Sequence, residues 1–238
     1  MTTPQPPRAS RSVLLTVVLA AVVTAGALVT AVLLRPERTE PTPAAPMPGP
    51  STAAQECGDG ACRELASARV HGTEVALLAG QDGRAARVRV GGPGSDTVLE
   101  TTITAMGARL DEDSLDCVEA VTSEASACLV RGSMDGAEIG EVLISRGDGW
   151  RQAERPYFSD AGLIVLDDVT GSGEPEVVVV QHICSQSGSA ACQVRPVRAE
   201  VFGLGGEHYG CTGSYTAPGH IRGWPDIKVY PRQLRPCR

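Results

Sequence analysis

The stretch Leu163-Ile-Val-Leu-Asp-Asp-Val-Thr-Gly-Ser-Gly-Glu-Pro-Glu-Val-Val-Val-Val-Gln181 sets an acidic, glycine-rich break between two short apolar runs. Each run is four residues of Leu, Ile or Val, too short for a buried helix and rich in β-branched side chains. Such runs, bounded by turn residues, predict two strands joined by a loop. Gly171 and Gly173 supply the backbone freedom that a tight loop needs.

Working outward, the same texture recurs. Thr73–Leu78 and Ala85–Val90 flank Ala-Gly-Gln-Asp-Gly, a hairpin signal, and Gly-Gly-Pro-Gly-Ser-Asp precedes Val98–Thr104. Glu138–Ser145 leads into Arg-Gly-Asp-Gly and Trp150, and Gln193–Phe202 follows the central stretch. No long segment carries a 3.6-residue period. The best helix candidates are short, Arg63–Arg69 and Leu110–Leu115. The expectation is an all-β domain, propeller-like or a sandwich. Two Trp and two Phe are few for its core, so aliphatic packing and disulfides must carry more of the stability.

The central stretch resembles the FG-GAP repeat, the integrin-like, VCBS-type unit of β-propellers. That family's loop reads approximately D-x-[DN]-G-D-G-x-x-[DE], followed by an apolar strand. Asp168 falls on the first ligand position, Thr170 on the third, Ser172 on the fifth and Glu176 on the ninth. Gly171 and Gly173 take the glycine positions. The resemblance spans Ile139 to Gly203, and Gln81-Asp82-Gly83, Asp135-Gly136 and Gly147-Asp148-Gly149 stand as worn-down copies of the turn. It implies a Ca²⁺ loop. Two usual acidic positions are hydroxyls here, so the implied site is weak or absent, because Ca²⁺ affinity follows ligand charge.

The flanks locate this domain. Val13–Leu34 is a run of 22 residues without charge or proline, preceded by Arg8 and Arg11 and no acid. As a helix it would be roughly 33 Å long, enough to cross a bilayer. The positive-inside rule then leaves residues 1–12 in the cytoplasm and everything after 34 outside. A cleaved signal peptide ending near Ala25-Gly26-Ala27 is the competing reading, but the apolar run continues well past it. Residues 35–56 contain six prolines among 22 and form an extended spacer reaching up to roughly 70 Å. Residues 57–238 are the extracytoplasmic β-domain.

Cys57, Cys62, Cys117, Cys128, Cys184, Cys192, Cys211 and Cys237 all follow the apolar run. An even set on the exported side reads as disulfides. Sequential pairing is expected, since each neighbouring pair brackets a turn-rich segment. A mixed zinc site from His182, Cys184, Cys192, His208 and Cys211 is the rival, but only Cys57-x₄-Cys62 has tight spacing and it lacks a second pair.

A formal net charge of −7 argues against nucleic-acid binding. Lys228 is the only lysine among 21 Lys and Arg, and Asn is absent, a bias expected of a GC-rich bacterial genome. No nucleophile elbow, zincin helix or P-loop is present. His208 and His220, with Tyr209, Tyr215 and Trp224, are read as a structural loop rather than a pocket. The expected function is a non-catalytic, membrane-anchored binding or structural module of the cell envelope. Its anchor is residues 13–34 in the bilayer, and its partner is an unidentified envelope protein or glycan. The alternatives are a hydrolase using Asp167, Asp168 and Glu174, or an accessory or sensor subunit of an envelope complex.

Overall fold

The computed structural model describes residues 56–237 apart from 59, 96, 122, 124, 148 and 185–190. The predicted tail, membrane helix and all but the last residue of the spacer lie outside the described residues. Among the described residues no helix is long and apolar enough to cross a membrane.

The valine run folds as predicted, and it explains the architecture. β12 (Leu163–Asp167) and β13 (Glu176–His182) pair antiparallel, from Leu163 against Val180 to Asp167 against Glu176. Side chains alternate between the faces of a strand. Ile164, Leu166, Val177 and Val179 therefore share one core cluster, and Leu163, Val178 and Val180 share another. A strand apolar at every position is one buried on both faces. β14 (Val197–Phe202) and β15 (His208–Cys211) complete this sheet in the order β12-β13-β14-β15.

Two further antiparallel sheets precede it. β3 (Arg63–Val70), β4 (Thr73–Ala79), β5 (Ala86–Val90) and β6 (Thr97–Glu100) form the first. The middle sheet comprises β7 (Leu115–Glu119), β8 (Ser126–Met134), β9 (Ala137–Ser145) and β10 (Trp150–Gln152), with β11 (Tyr157–Ser159) also paired to β9. A two-residue hairpin, β1 (Glu56–Cys57) and β2 (Gly60–Ala61), stands before them. Two-residue turns at His71-Gly72 and Asp135-Gly136 have positive φ at both positions, which matches the right-handed twist of the strands they join.

The sheets stack. Val75, Leu77 and Val88 of the first share a core with Cys128, Val130 and Leu143 of the middle sheet. The alternate residues Ala127, Leu129, Val142 and Ile144 share the next core with the last sheet. Among the described residues no core cluster joins the last sheet back to the first. The last sheet's outer face is covered by Ile221, Ile227 and Val229 of the C-terminal segment. On the first sheet, Arg87 and Arg89 alternate to the outer face and pair with Glu100, Glu64 and Glu74. Ala76 and Leu78 on that face lie under Cys57 of the hairpin.

Carboxylates of the middle sheet clasp both neighbours. Glu141, buried at 2% exposure, accepts from Thr102 N and Oγ1 at 2.9 and 2.7 Å beyond the first sheet. Glu138 accepts from Ile164 N at 2.5 Å, while Arg131 Nη1 donates to Ile164 O at 3.0 Å. The outward N–H and C=O of Ile164 on edge strand β12 are thus satisfied by side chains.

All four disulfides join sequential cysteines: Cys57–Cys62, Cys117–Cys128, Cys184–Cys192 and Cys211–Cys237. The helix expectations fail. Arg63–Val70 is β3, because the His71-Gly72 turn pairs it along all of β4, and that pairing overrides an Ala- and Glu-containing helical composition. Leu110–Leu115 is a turn leading into β7. The strand expected over Gln193–Phe202 begins only at Val197, after a turn.

Candidate functional site

The loop between β12 and β13 is held from within. Glu176 opens β13 at 3% exposure and turns its carboxylate back under the loop. Its Oε2 accepts from Val169 N at 2.7 Å and Thr170 N at 3.2 Å, and its Oε1 accepts from Thr170 Oγ1 at 2.6 Å. Asp168 Oδ2 accepts from Gly173 N across the turn at 3.0 Å. Gly171 and Gly173 sit at φ +73° and +83°, where a β-carbon is resisted. Ser172 Oγ accepts from Glu174 N at 3.2 Å. The four residues that the resemblance implicates in Ca²⁺ binding are therefore gathered in one loop. The carboxylates of Asp168 and Glu176 serve as acceptors for its N–H and O–H groups.

The loop also reaches the middle sheet. Gly173 O accepts from Val121 N at 2.8 Å, and Glu174 Oε1 lies 3.5 Å from Ser123 Oγ. Asp167 points to the other face and accepts from Lys228 Nζ at 2.6 Å. That bond holds the lysine's pKa above its ordinary value. Among the described residues Asp167, Asp168 and Glu174 thus have separate partners.

What the sequence did not reveal lies beside the loop. A surface cavity of about 400 Å³ is lined by Arg146, Thr170, Ser172, Glu174, Glu176 and, from the β14–β15 turn, Gly203–Gly205, Glu207 and Tyr209. Gly203 N donates to Glu207 O at 2.8 Å, closing that turn. A β-carbon at Gly203 would stand 2.7 Å from Glu207 Oε2 and 2.8 Å from Tyr209 Oη, so only glycine lets both side chains lie there. Desolvation, and then the carboxylates Glu207, Glu176 and Glu174, push the Tyr209 hydroxyl above its ordinary pKa. The phenol remains a donor facing an acidic wall, with Arg146 at the rim. Such a wall can bind cationic or hydroxyl-rich groups by charge-assisted hydrogen bonds. Gly-Leu-Gly-Gly-Glu at 203–207 was its sequence signal, and a one-residue register shift between β14 and β15 leaves Tyr209 without a cross-strand partner.

The aromatic and histidine cluster does not converge. His208 packs on the Phe202 ring at 4.8 Å, and His220 Nδ1 is bonded to Thr216 Oγ1 at 2.6 Å. Tyr215 and Trp224 pack on the last core, and only Tyr209 reaches the cavity. No family model, curated protein or solved structure matches this chain.

Proposed function

We propose that this chain is a membrane-anchored, extracytoplasmic binding module of a bacterial envelope. It is held by residues 13–34, spaced by residues 35–56, and contacts an envelope protein or glycan through the acidic cavity. The observation that carries the reading is the division of labour among the acids. Asp168 and Glu176 shape the loop, while Glu174, Glu207 and the Tyr209 hydroxyl stand at the cavity. Four disulfides on the downstream side of the apolar run support an oxidising location. Three successive antiparallel meanders, with β7 lying between β3 and β12, support a short propeller-like stack of FG-GAP-type units over a sandwich.

Two measurements on the full-length chain in a bacterial host test it. Protease added outside intact cells should remove the β-domain and leave residues 1–12 protected; a mature N-terminus near Leu28 would end the anchored reading. A photocrosslinking residue at Tyr209 should capture an envelope component, and the double change Glu174→Gln with Glu207→Gln should abolish that capture. Equal capture from a crosslinker at Arg69, on the far outer face, would remove the cavity from the proposal.

A further inference from the structure

Three of the four disulfides have settled surroundings. Cys57 packs on Ala76 and Leu78, and Cys128 with Cys117 lies in the first core. At Cys211–Cys237 the Cys237 Sγ lies 3.3 Å from His208 Nε2, but the His208 side chain is 38% exposed, so water can satisfy that nitrogen. The fourth, Cys184–Cys192, differs. Beside it Asp160 and His182 form a pair in which each side chain is 7% exposed. Asp160 Oδ1 accepts from His182 N at 2.8 Å and lies 3.2 Å from His182 Nδ1. Asp160 Oδ2 faces Cys192 Sγ at 3.4 Å.

In the disulfide that sulfur carries no hydrogen. The buried Oδ2 therefore looks onto an atom that cannot donate to it, and an unsatisfied buried carboxylate oxygen is costly. Reduction places a hydrogen on Cys192 Sγ and supplies the donor. Asp160, at 7% exposure, thus favours the dithiol form of this pair over its disulfide, whereas the imidazole facing Cys237 is open to water. We propose that Cys184–Cys192 is a thiol–disulfide exchange site whose substrate is a dithiol, with Asp160 Oδ2 as the acceptor that holds the reduced Cys192 thiol.

The steps balance. A thiolate of the dithiol attacks Cys184 Sγ, since Cys184 is half-buried while Cys192 is 1% exposed. The S–S electron pair passes to Cys192 Sγ, which takes a proton from solvent and then donates its S–H to Asp160 Oδ2. That proton replaces the one the entering thiol gave to solvent. The second thiol of the dithiol then attacks the mixed disulfide and releases Cys184. The dithiol leaves as a disulfide, having lost two electrons and two hydrogens, and the two cysteines gain them.

The test treats the full-length chain with graded reduced dithiothreitol, traps free thiols with an alkylating agent and maps them by peptide mass. Cys184 and Cys192 should open first, at a dithiol concentration about tenfold below that of the next pair. Asp160→Asn should raise that concentration about tenfold and leave the other three midpoints in place. The double change Cys184→Ser with Cys192→Ser should retain the remaining three disulfides. Reduction of Cys184–Cys192 together with or after the other pairs overturns the proposal, as does an unchanged midpoint in Asp160→Asn.

Discussion

Glu176 shows how one side chain turns a loop into a fixed feature. Three donors of the loop converge on its carboxylate, and two of them are backbone N–H groups with no partner in the β12–β13 ladder. Glu176→Ala leaves Val169 N with only Asp167 O at 3.1 Å and takes the acceptor from both Thr170 donors, so chemical denaturation should show a loss of about 2 kcal/mol. A loss under about 1 kcal/mol would mean that water replaces the carboxylate with little penalty. The same bonds bear on the Ca²⁺ loop. An ion drawing on Asp168 and Glu176 must displace the hydrogen bonds they already accept, so the melting temperature should stay flat up to about 10 mM Ca²⁺. A rise that Asp168→Ala abolishes would instead assign the loop to the metal. That Asp168 and Glu176 belong to one loop was legible in the sequence, because both ends of a short loop are close by necessity. Their separate partners, Gly173 N for one and Val169 and Thr170 for the other, were not. Glu207 and Tyr209 were not legible, because they lie some thirty residues on, at a turn and a register shift between β14 and β15 that skips Tyr209.

Among elements, β12 illustrates how an edge is closed without another strand. Its outward backbone groups at Ile164 go to Glu138 and Arg131 of the middle sheet, which removes a template for aggregation. Desolvation raises the Glu138 pKa above 4.5, against the opposing pull of Arg131 and the Ile164 N–H. A carboxyl with a raised folded-state pKa lends stability that is complete below its unfolded value and is lost as pH rises through the folded one. Relative to Glu138→Gln, the wild type should therefore lose stability as pH rises from 4.5 towards neutrality. Parallel melting curves for the two proteins across that window would show that burial does not perturb this group. The sequence read β12 and β13 correctly because a two-sided apolar run has few alternatives. It misread β3, whose Arg, Glu and Ala composition suits either state, since the choice was made by a partner strand and a two-residue turn.

For the whole molecule the question is how a stack of three sheets ends. A sheet with an apolar outer face needs a cover. The first sheet ends in ion-paired Arg87 and Arg89 and a disulfide hairpin, while the last keeps Val178, Val180 and Val201 on its outer face and needs a strap. Arg235 exchanges two backbone hydrogen bonds with Cys211, each 2.9 Å, and Cys237 is bonded to Cys211. Gly210 admits this approach: a β-carbon there would stand 2.8 Å from Arg235 O. The disulfide closes the segment that carries Ile221, Ile227 and Val229 onto the valine face. Cys237→Ser opens that closure over a sequence separation of 26 and should cost about 3 kcal/mol on the chain-entropy model. Because the strap is also the cover, the change should raise dye binding to exposed apolar surface below the melting transition. A variant that melts lower without gaining dye binding would show the strap staying docked by its three apolar anchors. Unchanged melting and unchanged dye binding would show that the last sheet does not depend on the disulfide at all.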